Sequence, residues 1–291
     1  MGRAEWRKSM SRASCLCGDV TWDLEGPYVF MHHCHCGRCR KAHGTPFATY
    51  IGAAEDGFRL HGAARVTAWA PQPGVSRSFC SRCGSIVPGA TFGGLVFAPA
   101  GNFDDDPGER PADHIFVASK APWYAIADSL PRFDAYPPGV DAVVLPDPPR
   151  VPAPTGVTRG SCLCGAVVFE IDGPPLLARN CHCGRCRKAR SAAHASNMAV
   201  PTDNLRFTRG DDHLLTYKVP EADRFAQTFC RVCGSSMPCV YRARGIAVVP
   251  MGALDDPPGV TPACHIFVAS RAPWFTIADD LPQHDEYPPD A

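Results

Sequence analysis

Sixteen cysteines are the residues of this 291-residue chain best suited to chemistry, and they occur in short groups. CLCG covers 15–18, CHCGRC covers 34–39 and CSRCG covers 80–84. Two cysteines separated by one or two residues can present both sulfurs to one metal ion, and such thiolate pairs are typical zinc ligands. In the third group, Gly84 can adopt a positive φ, which turns backbone N–H groups toward the sulfurs. The spacing therefore predicts metal sites.

The cellular compartment decides whether cysteines form disulfides or bind metals. The N-terminal stretch MGRAEWRKSMSRAS has basic residues but no apolar segment, so it lacks the pattern of a signal peptide. No run of 18 apolar residues predicts a membrane span. We expect a cytoplasmic protein with reduced thiols, a loose tail over residues 1–12, and Met1 or Met10 as alternative starts.

The balance of charge limits the classes of partner. Lys and Arg together number 29, as do Asp and Glu, so the net charge is close to zero. A chain with this net charge does not have the broad positive potential of a nucleic-acid-binding protein, which counts against nucleic acid as a partner. The hydrophobic fraction of 45% allows a packed core.

The chain is a tandem repeat of two copies. The first five cysteines reappear 147 residues later, and the CSRCG pair reappears 150 residues later. HIFVASKAPW at 114–123 returns as HIFVASRAPW at 265–274. Cys239 and Cys264 have no counterparts, and we interpret them as small buried hydrophobic residues. The period is typical of a duplicated domain.

A proline-rich segment separates the copies. Residues 137–156 contain seven prolines in twenty positions, which predicts a stiff, extended linker. We place copy one at 11–136 and copy two at 157–291.

Strand patterns dominate each copy. Apolar residues alternate in VTWDLEG at 20–26 and in VVFEIDG at 167–173. FATYIGA at 47–53 and GLVFAPAG at 94–101 are also short, apolar and bounded by turn residues. Thirty prolines and 26 glycines leave room for at most a helical turn or two, in PWYAIADSL and PWFTIADDL. The prediction is an all-β protein.

The seven cysteines of each copy cannot fill two four-thiolate sites, so we divide them as four plus three. CHCGRC holds three sulfurs within six residues, and one loop can present them to one ion. The remaining pairs, Cys15 with Cys17 and Cys80 with Cys83, then close a four-thiolate site. A closed site of four ligands is structural, whereas three ligands leave a position for water or substrate.

An alternative for the CHCGRC loop is a second structural site whose fourth ligand comes from elsewhere. His35 and His182 recur at equivalent positions and are candidates. A residue between two ligating neighbours, however, usually points away from the metal. A redox CxxC pair is the weaker interpretation, because no βαβ pattern surrounds the loop.

Basic residues surround the loop, namely Arg38, Arg40 and Lys41 in copy one and Arg185, Arg187 and Lys188 in copy two. Three thiolates on Zn²⁺ leave a net charge of about −1, which nearby cations offset. The same side chains could hold the carboxylates of a substrate, Arg in a bidentate way. A solvated basic face is the alternative.

The order of SCLCG, CHCGRCRK, FCxxCG and HIFVASKAPW resembles the family of glutathione-dependent formaldehyde-activating enzymes, which includes centromere protein V. The resemblance covers almost all of each copy. It implies a small zinc-bearing fold called a β-tent and up to four Zn²⁺ ions per chain. The structural sets would be Cys15, Cys17, Cys80 and Cys83, and Cys162, Cys164, Cys230 and Cys233. The reactive sets would be Cys34, Cys36 and Cys39, and Cys181, Cys183 and Cys186.

The resemblance also implies a reaction. Family members are named for joining formaldehyde to glutathione, giving S-hydroxymethylglutathione. A carbon–sulfur lyase that uses a small thiol such as glutathione, and an aldehyde, is therefore expected. An open zinc position suits this chemistry, because it can lower the pKa of a bound thiol and polarise an aldehyde oxygen.

The copies diverge just after the loop. Ser191 stands at the position of Gly44, and His194 stands at the position of Phe47. If Gly44 permits a close backbone approach, copy two loses it. We expect copy one to be closer to the family's site and copy two to be altered.

The histidines and tryptophans that recur in both copies outside the loop are expected to be structural. His114 and His265 alternate with apolar residues on a predicted strand, so we interpret them as hydrogen-bonded structural histidines rather than bases. Trp123 and Trp274 are expected in the core.

Two further classes of function compete with an enzyme. A zinc-stapled module that binds protein or nucleic acid needs only the four-thiolate sites, whereas an enzyme needs the open three-thiolate site. A metal-handling or thiol-sensing protein is the third class. The sequence selects neither the thiol, nor the aldehyde, nor the oligomeric state.

Overall fold

The computed structural model describes residues 10–72, 75–150 and 153–289. The first nine residues of the tail expected over residues 1–12 lie outside the described residues. The tail prediction is wrong for residues 10–12, because they belong to a strand, Met10–Ser14, that pairs with Thr21–Glu25. No helix among the described residues is long and apolar enough to cross a membrane. Strands and short 3₁₀ turns predominate, with one seven-residue α-helix in each copy. The all-β prediction with two copies is confirmed.

The elements of copy one are β1 Met10–Ser14, β2 Thr21–Glu25, β3 Tyr28–Cys34, α1 Gly37–His43, β4 Ala48–Ala54, β5 Phe58–His61, β6 Val66–Gln72, β7 Val75–Cys80, β8 Ile86–Val87, β9 Leu95–Pro99 and β10 Asp113–Ile115. Those of copy two are β11 Val157–Ser161, β12 Val168–Asp172, β13 Leu177–Cys181, α2 Gly184–Arg190, β14 Ala195–Pro201, β15 Leu205–Arg209, β16 Leu214–Lys218, β17 Ala226–Cys230, β18 Ser236–Met237, β19 Cys239–Tyr241, β20 Ile246–Pro250, β21 His265–Ile266 and β22 Gln283–His284.

Each copy consists of three small sheets. Copy one has the orders β1-β2-β5, β10-β3-β4-β9 and β6-β7-β8. Copy two repeats them as β11-β12-β15, β19-β20-β14-β13-β21-β22 and β16-β17-β18. The alternating pattern of β2 and the residue before it puts Val20, Trp22 and Leu24 in the core, where none is exposed. The fold thus follows the period of two that the sequence predicts.

Parallel pairing brings the HIFVAS stretch beside the CHCGRC loop. In copy one, β10 runs parallel to β3 with His114 opposite His33 and Ile115 opposite Cys34. In copy two, β21 pairs with β13 so that His265 lies opposite Asn180. The two segments are about 80 residues apart in sequence, so only the sheet joins them.

The copies exchange the segments that follow these strands. Trp123, from copy one, belongs to the buried core of copy two together with Phe169 and Phe229. Trp274, from copy two, belongs to the buried core of copy one together with Trp22. The core location predicted for the tryptophans is confirmed, and each lies in the core of the other copy.

The two helices, α1 and α2, begin inside the CHCGRC stretches, which the sequence pattern assigns to loops. PWYAIADSL and PWFTIADDL contain no helix, within the predicted limit of a helical turn or two. Both continue as irregular chain after the tryptophan. Packing against the other copy, which has no local signal in the sequence, determines the path of this backbone.

The four-cysteine regions of the two copies also meet. The rings of Phe79 and Phe229 lie with centroids 6.2 Å apart and edge to face. A Cβ atom at Gly84 would come within 2.3 Å of Phe229, and one at Gly234 within 2.5 Å of Phe79. The glycine after each CxxC therefore provides space for a ring from the other copy, besides its positive φ of 75° at Gly84.

A cavity of about 20 Å³, room for about one water molecule, lies where the copies meet. Its polar lining includes His33, His114, His194 and His265 from both copies, with Asp128 and Asp279. His194 is 2% exposed, and burial, with the neighbouring His265, lowers its pKa to about 3. His194 is therefore neutral in the folded protein at pH 7.

Replacing His194 by Phe, the residue at the equivalent position 47, should weaken the acid sensitivity of folding. The folded-state pKa lies below the unfolded value of about 6.5, so this stability is present above that pH and is lost as the pH falls. Between pH 7 and pH 5 the natural chain should lose about 2 kcal/mol more unfolding free energy than His194→Phe. Urea unfolding at both pH values measures the difference. Equal losses in the two proteins would contradict the assignment.

Candidate metal and active sites

The four cysteines assigned to a closed site come together in each copy. In copy one, the Sγ atom of Cys17 lies 3.5 Å from that of Cys15 and 3.7 Å from that of Cys80. Cys83 completes a group whose four sulfurs all lie within 4.8 Å of one another. Four sulfurs at about 2.3 Å from one zinc are about 3.8 Å apart in a tetrahedron. The group therefore fits a closed zinc site.

Copy two repeats this geometry. Its Cys164 sulfur lies 3.4 Å from that of Cys162 and 3.8 Å from that of Cys230. Cys233 is the fourth member of the group. The Val167 amide donates to the Cys162 sulfur at 3.2 Å, as N–H groups do to metal-bound thiolates. Both closed sites have the same donor set and the same spacing.

The four-thiolate site of copy one also supports the helix of copy two. The Ser85 hydroxyl lies 3.4 Å from the Cys83 sulfur and donates to the Lys188 carbonyl at 2.8 Å. Lys188 lies in α2, the helix that contains the last cysteine of the second CHCGRC loop. One hydroxyl thus connects the four-cysteine cluster of copy one with the helix that follows the three-cysteine loop of copy two.

The three cysteines of each CHCGRC loop also gather at one point. In copy one, β3 ends at Cys34 and α1 begins after Cys36, whose sulfur accepts the Cys39 N–H at 3.3 Å. Cys181, Cys183 and Cys186 form the same group in copy two, and within each loop all sulfurs lie within 4.8 Å of one another. A strand end and a helix start therefore hold three sulfurs on one short loop.

In the described residues, no fourth His, Cys, Asp or Glu joins either three-cysteine group. His35 is turned away, with its Nε2 atom 2.8 Å from Nδ1 of His114. His114 Nε2 in turn donates to Asp128 at 3.0 Å. Burial lowers the pKa of His35 to about 3, so the ring is neutral at pH 7. The alternative in which His35 supplies a fourth ligand is therefore not supported.

The corresponding chain in copy two joins His182, His265 and Asp279. His182 Nε2 lies 2.8 Å from His265 Nδ1, and His265 Nε2 donates to Asp279 at 3.0 Å. Because a carboxylate only accepts, the tautomers of both rings follow from it. His114 and His265 are buried and hydrogen-bonded on both nitrogens, as expected for structural histidines.

A partly buried guanidinium, for which the sequence pattern gave no signal, lies beside the loop of copy one. Arg77 donates to the Cys39 sulfur at 3.1 Å and to the Tyr50 hydroxyl at 2.6 Å. Tyr50 lies 2.8 Å from Nε2 of His43, whose Nδ1 donates to the Arg190 carbonyl of the other copy at 2.7 Å. A polar chain thus runs from the three-cysteine cluster of copy one to the end of helix α2 in copy two.

Copy two also has a buried guanidinium near its loop, but a different element provides it. Arg190 stands at the position of His43, Gln227 at that of Arg77, and Asn197 at that of Tyr50. Arg190 donates to Gln227 at 3.0 Å and to Asn197 at 3.2 Å. The arginine beside the loop thus lies on strand β7 in copy one and on helix α2 in copy two.

The thiols of the loops differ in their electrostatics. Hydrogen bonds from Cys34 and Cys36, with the Arg77 guanidinium, hold the pKa of Cys39 well below its usual value. Hydrogen bonds from Cys181 and Cys186 lower the pKa of Cys183 to about 3. Each loop therefore favours at least one thiolate at neutral pH, which is the form that binds metal.

The basic residues predicted to bind substrate do not lie together at an open surface. Arg38 donates from Nε to the Pro146 carbonyl at 2.9 Å, and Arg40 is 5% exposed. Lys41 lies 2.6 Å from Asp255 of copy two and donates to the Ser161 carbonyl at 3.0 Å. The structure thus places Lys41 in the contact between the copies.

Lys188 makes the reciprocal contact. Its ammonium group reaches Ser14 and Asp104 of copy one. The Lys188 pair is more exposed, with side chains 22% and 35% exposed against 6% and 3% for Lys41 and Asp255. The same two contacts therefore differ in burial.

The residue after each helix also meets the other copy. A Cβ atom at Gly44 would lie 2.8 Å from Pro250, and its φ of 70° is in the left-handed region. Ser191 adopts a φ of 52° and donates from its hydroxyl to the Ile86 carbonyl at 2.9 Å. The close approach expected at Gly44 exists, and copy two replaces it with a hydrogen bond.

All sixteen cysteines lie in the described residues, and none forms a disulfide. Cys239 and Cys264 are 9% and 7% exposed and join no cluster. The prediction that they are small buried residues is confirmed.

Two small β-folds, each with one four-cysteine and one three-cysteine cluster, define a tandem protein able to hold metal ions. A family model described as "Glutathione-dependent formaldehyde-activating enzyme" matches residues 10–119 and 157–270. Because the two matches cover well over half of the chain, the chain belongs to this family, as a tandem member.

Individual relatives cover one copy. A Halomonas elongata protein named "Putative glutathione-dependent formaldehyde-activating enzyme" is 31% identical over 128 residues, which are 41% of this chain and 80% of that protein. A crystal structure of a Rhodobacter sphaeroides protein is 29% identical and has a TM-score of 0.29. That match covers 36% of this chain and 97% of the Rhodobacter chain.

Replacing Lys41 by Met should destabilise the protein strongly, because it leaves Asp255 as an uncompensated buried charge. We expect a loss of about 3–5 kcal/mol of unfolding free energy. Lys188→Met is the matched control in copy two, and it should cost about 1 kcal/mol because its pair is partly exposed. Urea unfolding of both variants measures the two losses. A larger loss for Lys188→Met would show that burial does not decide the effect.

Proposed function

We propose that the chain is a zinc-dependent carbon–sulfur lyase that acts on a thiol–aldehyde adduct of the S-hydroxymethylglutathione type. One observation carries the proposal. Each copy has a four-sulfur cluster and a three-sulfur cluster, and no fourth His, Cys, Asp or Glu of the described residues joins the three-sulfur cluster. Membership of the family and the name of the Halomonas relative support glutathione as the thiol and formaldehyde as the aldehyde. Thiols of this kind are kept reduced in the cytoplasm, which is the location we propose.

The cysteine sets have separate roles in this proposal. Cys15, Cys17, Cys80 and Cys83, with Cys162, Cys164, Cys230 and Cys233, would hold structural zinc. Cys34, Cys36 and Cys39, with Cys181, Cys183 and Cys186, would hold reactive zinc. A bound zinc would lower the pKa of the substrate thiol and polarise the aldehyde oxygen.

The reaction balances without a redox partner. The thiol sulfur forms a bond to the aldehyde carbon, and the thiol proton ends on the aldehyde oxygen, which becomes the hydroxyl of the adduct. The reverse reaction breaks the same carbon–sulfur bond. Holding both reactants at one centre removes the entropic cost of their encounter from the chemical step.

The residues around the loops position the cysteines and offset their charge. Arg77 fixes the Cys39 sulfur through a hydrogen bond at 3.1 Å, and its charge opposes that of the thiolates. Arg190 has the equivalent place in copy two. Arg38 and Arg185 are the loop cations that we assign to the carboxylates of the thiol substrate, whereas Lys41 is engaged with Asp255.

Elemental analysis of protein purified under reducing conditions should give about four zinc ions per chain. A value of about two would mean that only the four-cysteine sites hold metal firmly. That result would favour a binding module over an enzyme.

In protein that carries four zinc ions, a strong chelator should remove the ions of the three-cysteine sites first, because those sites have fewer protein ligands.

Replacing Cys36 and Cys183 by Ser together should lower the rate of adduct formation from glutathione and formaldehyde at least 100-fold, on the order of the losses that follow removal of a catalytic group. Each single variant should retain only the activity that its unchanged copy contributes. Cys239→Ala is the control, since this cysteine joins no cluster. Nuclear magnetic resonance exchange between formaldehyde hydrate and adduct measures the rate. Full turnover in the double variant would refute the proposal.

A further inference from the structure

The nine residues CHCGRCRKA are identical in the two copies, yet their surroundings differ. In copy one Gly37, Cys39 and Arg40 are buried, whereas their equivalents at 184, 186 and 187 are partly exposed. Because the sequences are the same, the difference comes from what lies on each loop. The structure therefore contains its own comparison between a covered loop and an open one.

We propose that Pro146 and Asp147 form a strap that closes the loop of copy one and leaves the loop of copy two as the accessible reactive site. The strap belongs to the segment 137–156 that we propose as the linker. The reactivity of this site rests on the proposed function, whereas the difference in access between the loops does not.

Two hydrogen bonds hold the strap. The Gly37 N–H donates to Oδ1 of Asp147 at 2.7 Å, and Arg38 Nε donates to the Pro146 carbonyl at 2.9 Å. Gly37 directly follows Cys36, so the Asp147 carboxylate lies one residue from a thiolate of the cluster. The strap therefore occupies both the backbone and the cation next to the three sulfurs.

Space at the same glycine confirms how closely the strap lies on the loop. A Cβ atom added at Gly37 would be 2.8 Å from Oδ1 and 2.9 Å from Cγ of Asp147. A Cβ atom added at Gly184 would meet nothing within 4 Å. Among the described residues, the exposed side chain of Arg185 makes no hydrogen bond or ion pair.

The chemistry of the strap explains its effect on a substrate. A carboxylate that accepts a hydrogen bond at the loop competes directly with a carboxylate of an incoming thiol. In copy one this internal carboxylate is already in place, and the Arg38 guanidinium is engaged with the same segment. In copy two, neither the Gly184 N–H nor the Arg185 guanidinium has a partner among the described residues, so both can meet a ligand.

The strap can also open. Residues 137–150 contain no helix or strand, so no ladder of backbone hydrogen bonds holds them down. A segment of this kind opens at a lower free energy than the sheets around it. Copy one is therefore a site whose access depends on displacement of the strap.

Alkylation of the purified, folded protein with iodoacetamide tests the strap. Trypsin gives distinct peptides for the two copies, 13–38 for Cys36 and 180–185 for Cys183, so mass spectrometry can follow both rates in one sample. In the natural chain Cys183 should react faster than Cys36. Gly37→Ala should displace Asp147 and raise the rate at Cys36 by about tenfold, the effect of losing one hydrogen bond to a charged group.

Gly184→Ala is the matched control, because the same change in the same sequence meets no neighbour. It should leave the rate at Cys183 unchanged. Asp147→Ala removes the carboxylate without touching the loop, and should raise the rate at Cys36 as Gly37→Ala does. If both Gly37→Ala and Asp147→Ala leave the ratio of the two rates unchanged, the strap is refuted.

The alkylation result does not depend on catalysis. If the rates change as expected while the protein forms no thiol–aldehyde adduct, the proposed function fails and the strap stands. If the protein is active, Gly37→Ala in a Cys183→Ser background should lower KM for the thiol, because only the strapped site remains. An unchanged KM there would show that the strap does not compete with substrate.

Discussion

The mutual burial of two tryptophans is the interaction on which the rest of the molecule depends. Trp123 fills the core of copy two, and Trp274 fills the core of copy one. An aromatic side chain that buries about 150–250 Å² contributes about 4–6 kcal/mol by area, which is a large share of a domain's stability. Neither copy has a complete core alone, so the copies form one folding unit.

Contacts between the copies also position the cysteine clusters. Ser85 contacts the Cys83 sulfur and holds the carbonyl of Lys188, while His43 holds the carbonyl of Arg190. The helix of each three-cysteine loop therefore rests on the other copy. A shift between the copies would move the helix that carries the third cysteine, and would therefore change the geometry of the three-cysteine cluster.

Local spacing predicted a large part of this arrangement. The pairs Cys15 with Cys17 and Cys80 with Cys83 each lie in one turn, so their spacing alone indicates that both sulfurs of a pair reach one ion. The alternation in VTWDLEG predicted a half-buried strand for the same reason, since side chains in a strand point to opposite faces. Short-range geometry determines both features.

Contacts between the copies had no such signal. Lys41 was interpreted as a cation for substrate, yet it pairs with Asp255, more than 200 residues away. The guanidinium beside each loop could have been found only by comparing the copies position by position. In that comparison Arg77 is equivalent to Gln227, and His43 is equivalent to Arg190. The two changes together keep one arginine beside each loop.

Fusion of the copies has a consequence for how such a site can diverge. Two identical subunits related by a two-fold axis must carry every substitution twice, once in each site. A single chain is free of that restriction, so a cation can move from strand to helix in one half alone. Among the described residues, the segment that joins the halves hydrogen-bonds to the loop of copy one and not to that of copy two. Covalent connection thus allows the two sites of a formerly symmetric pair to accumulate different substitutions.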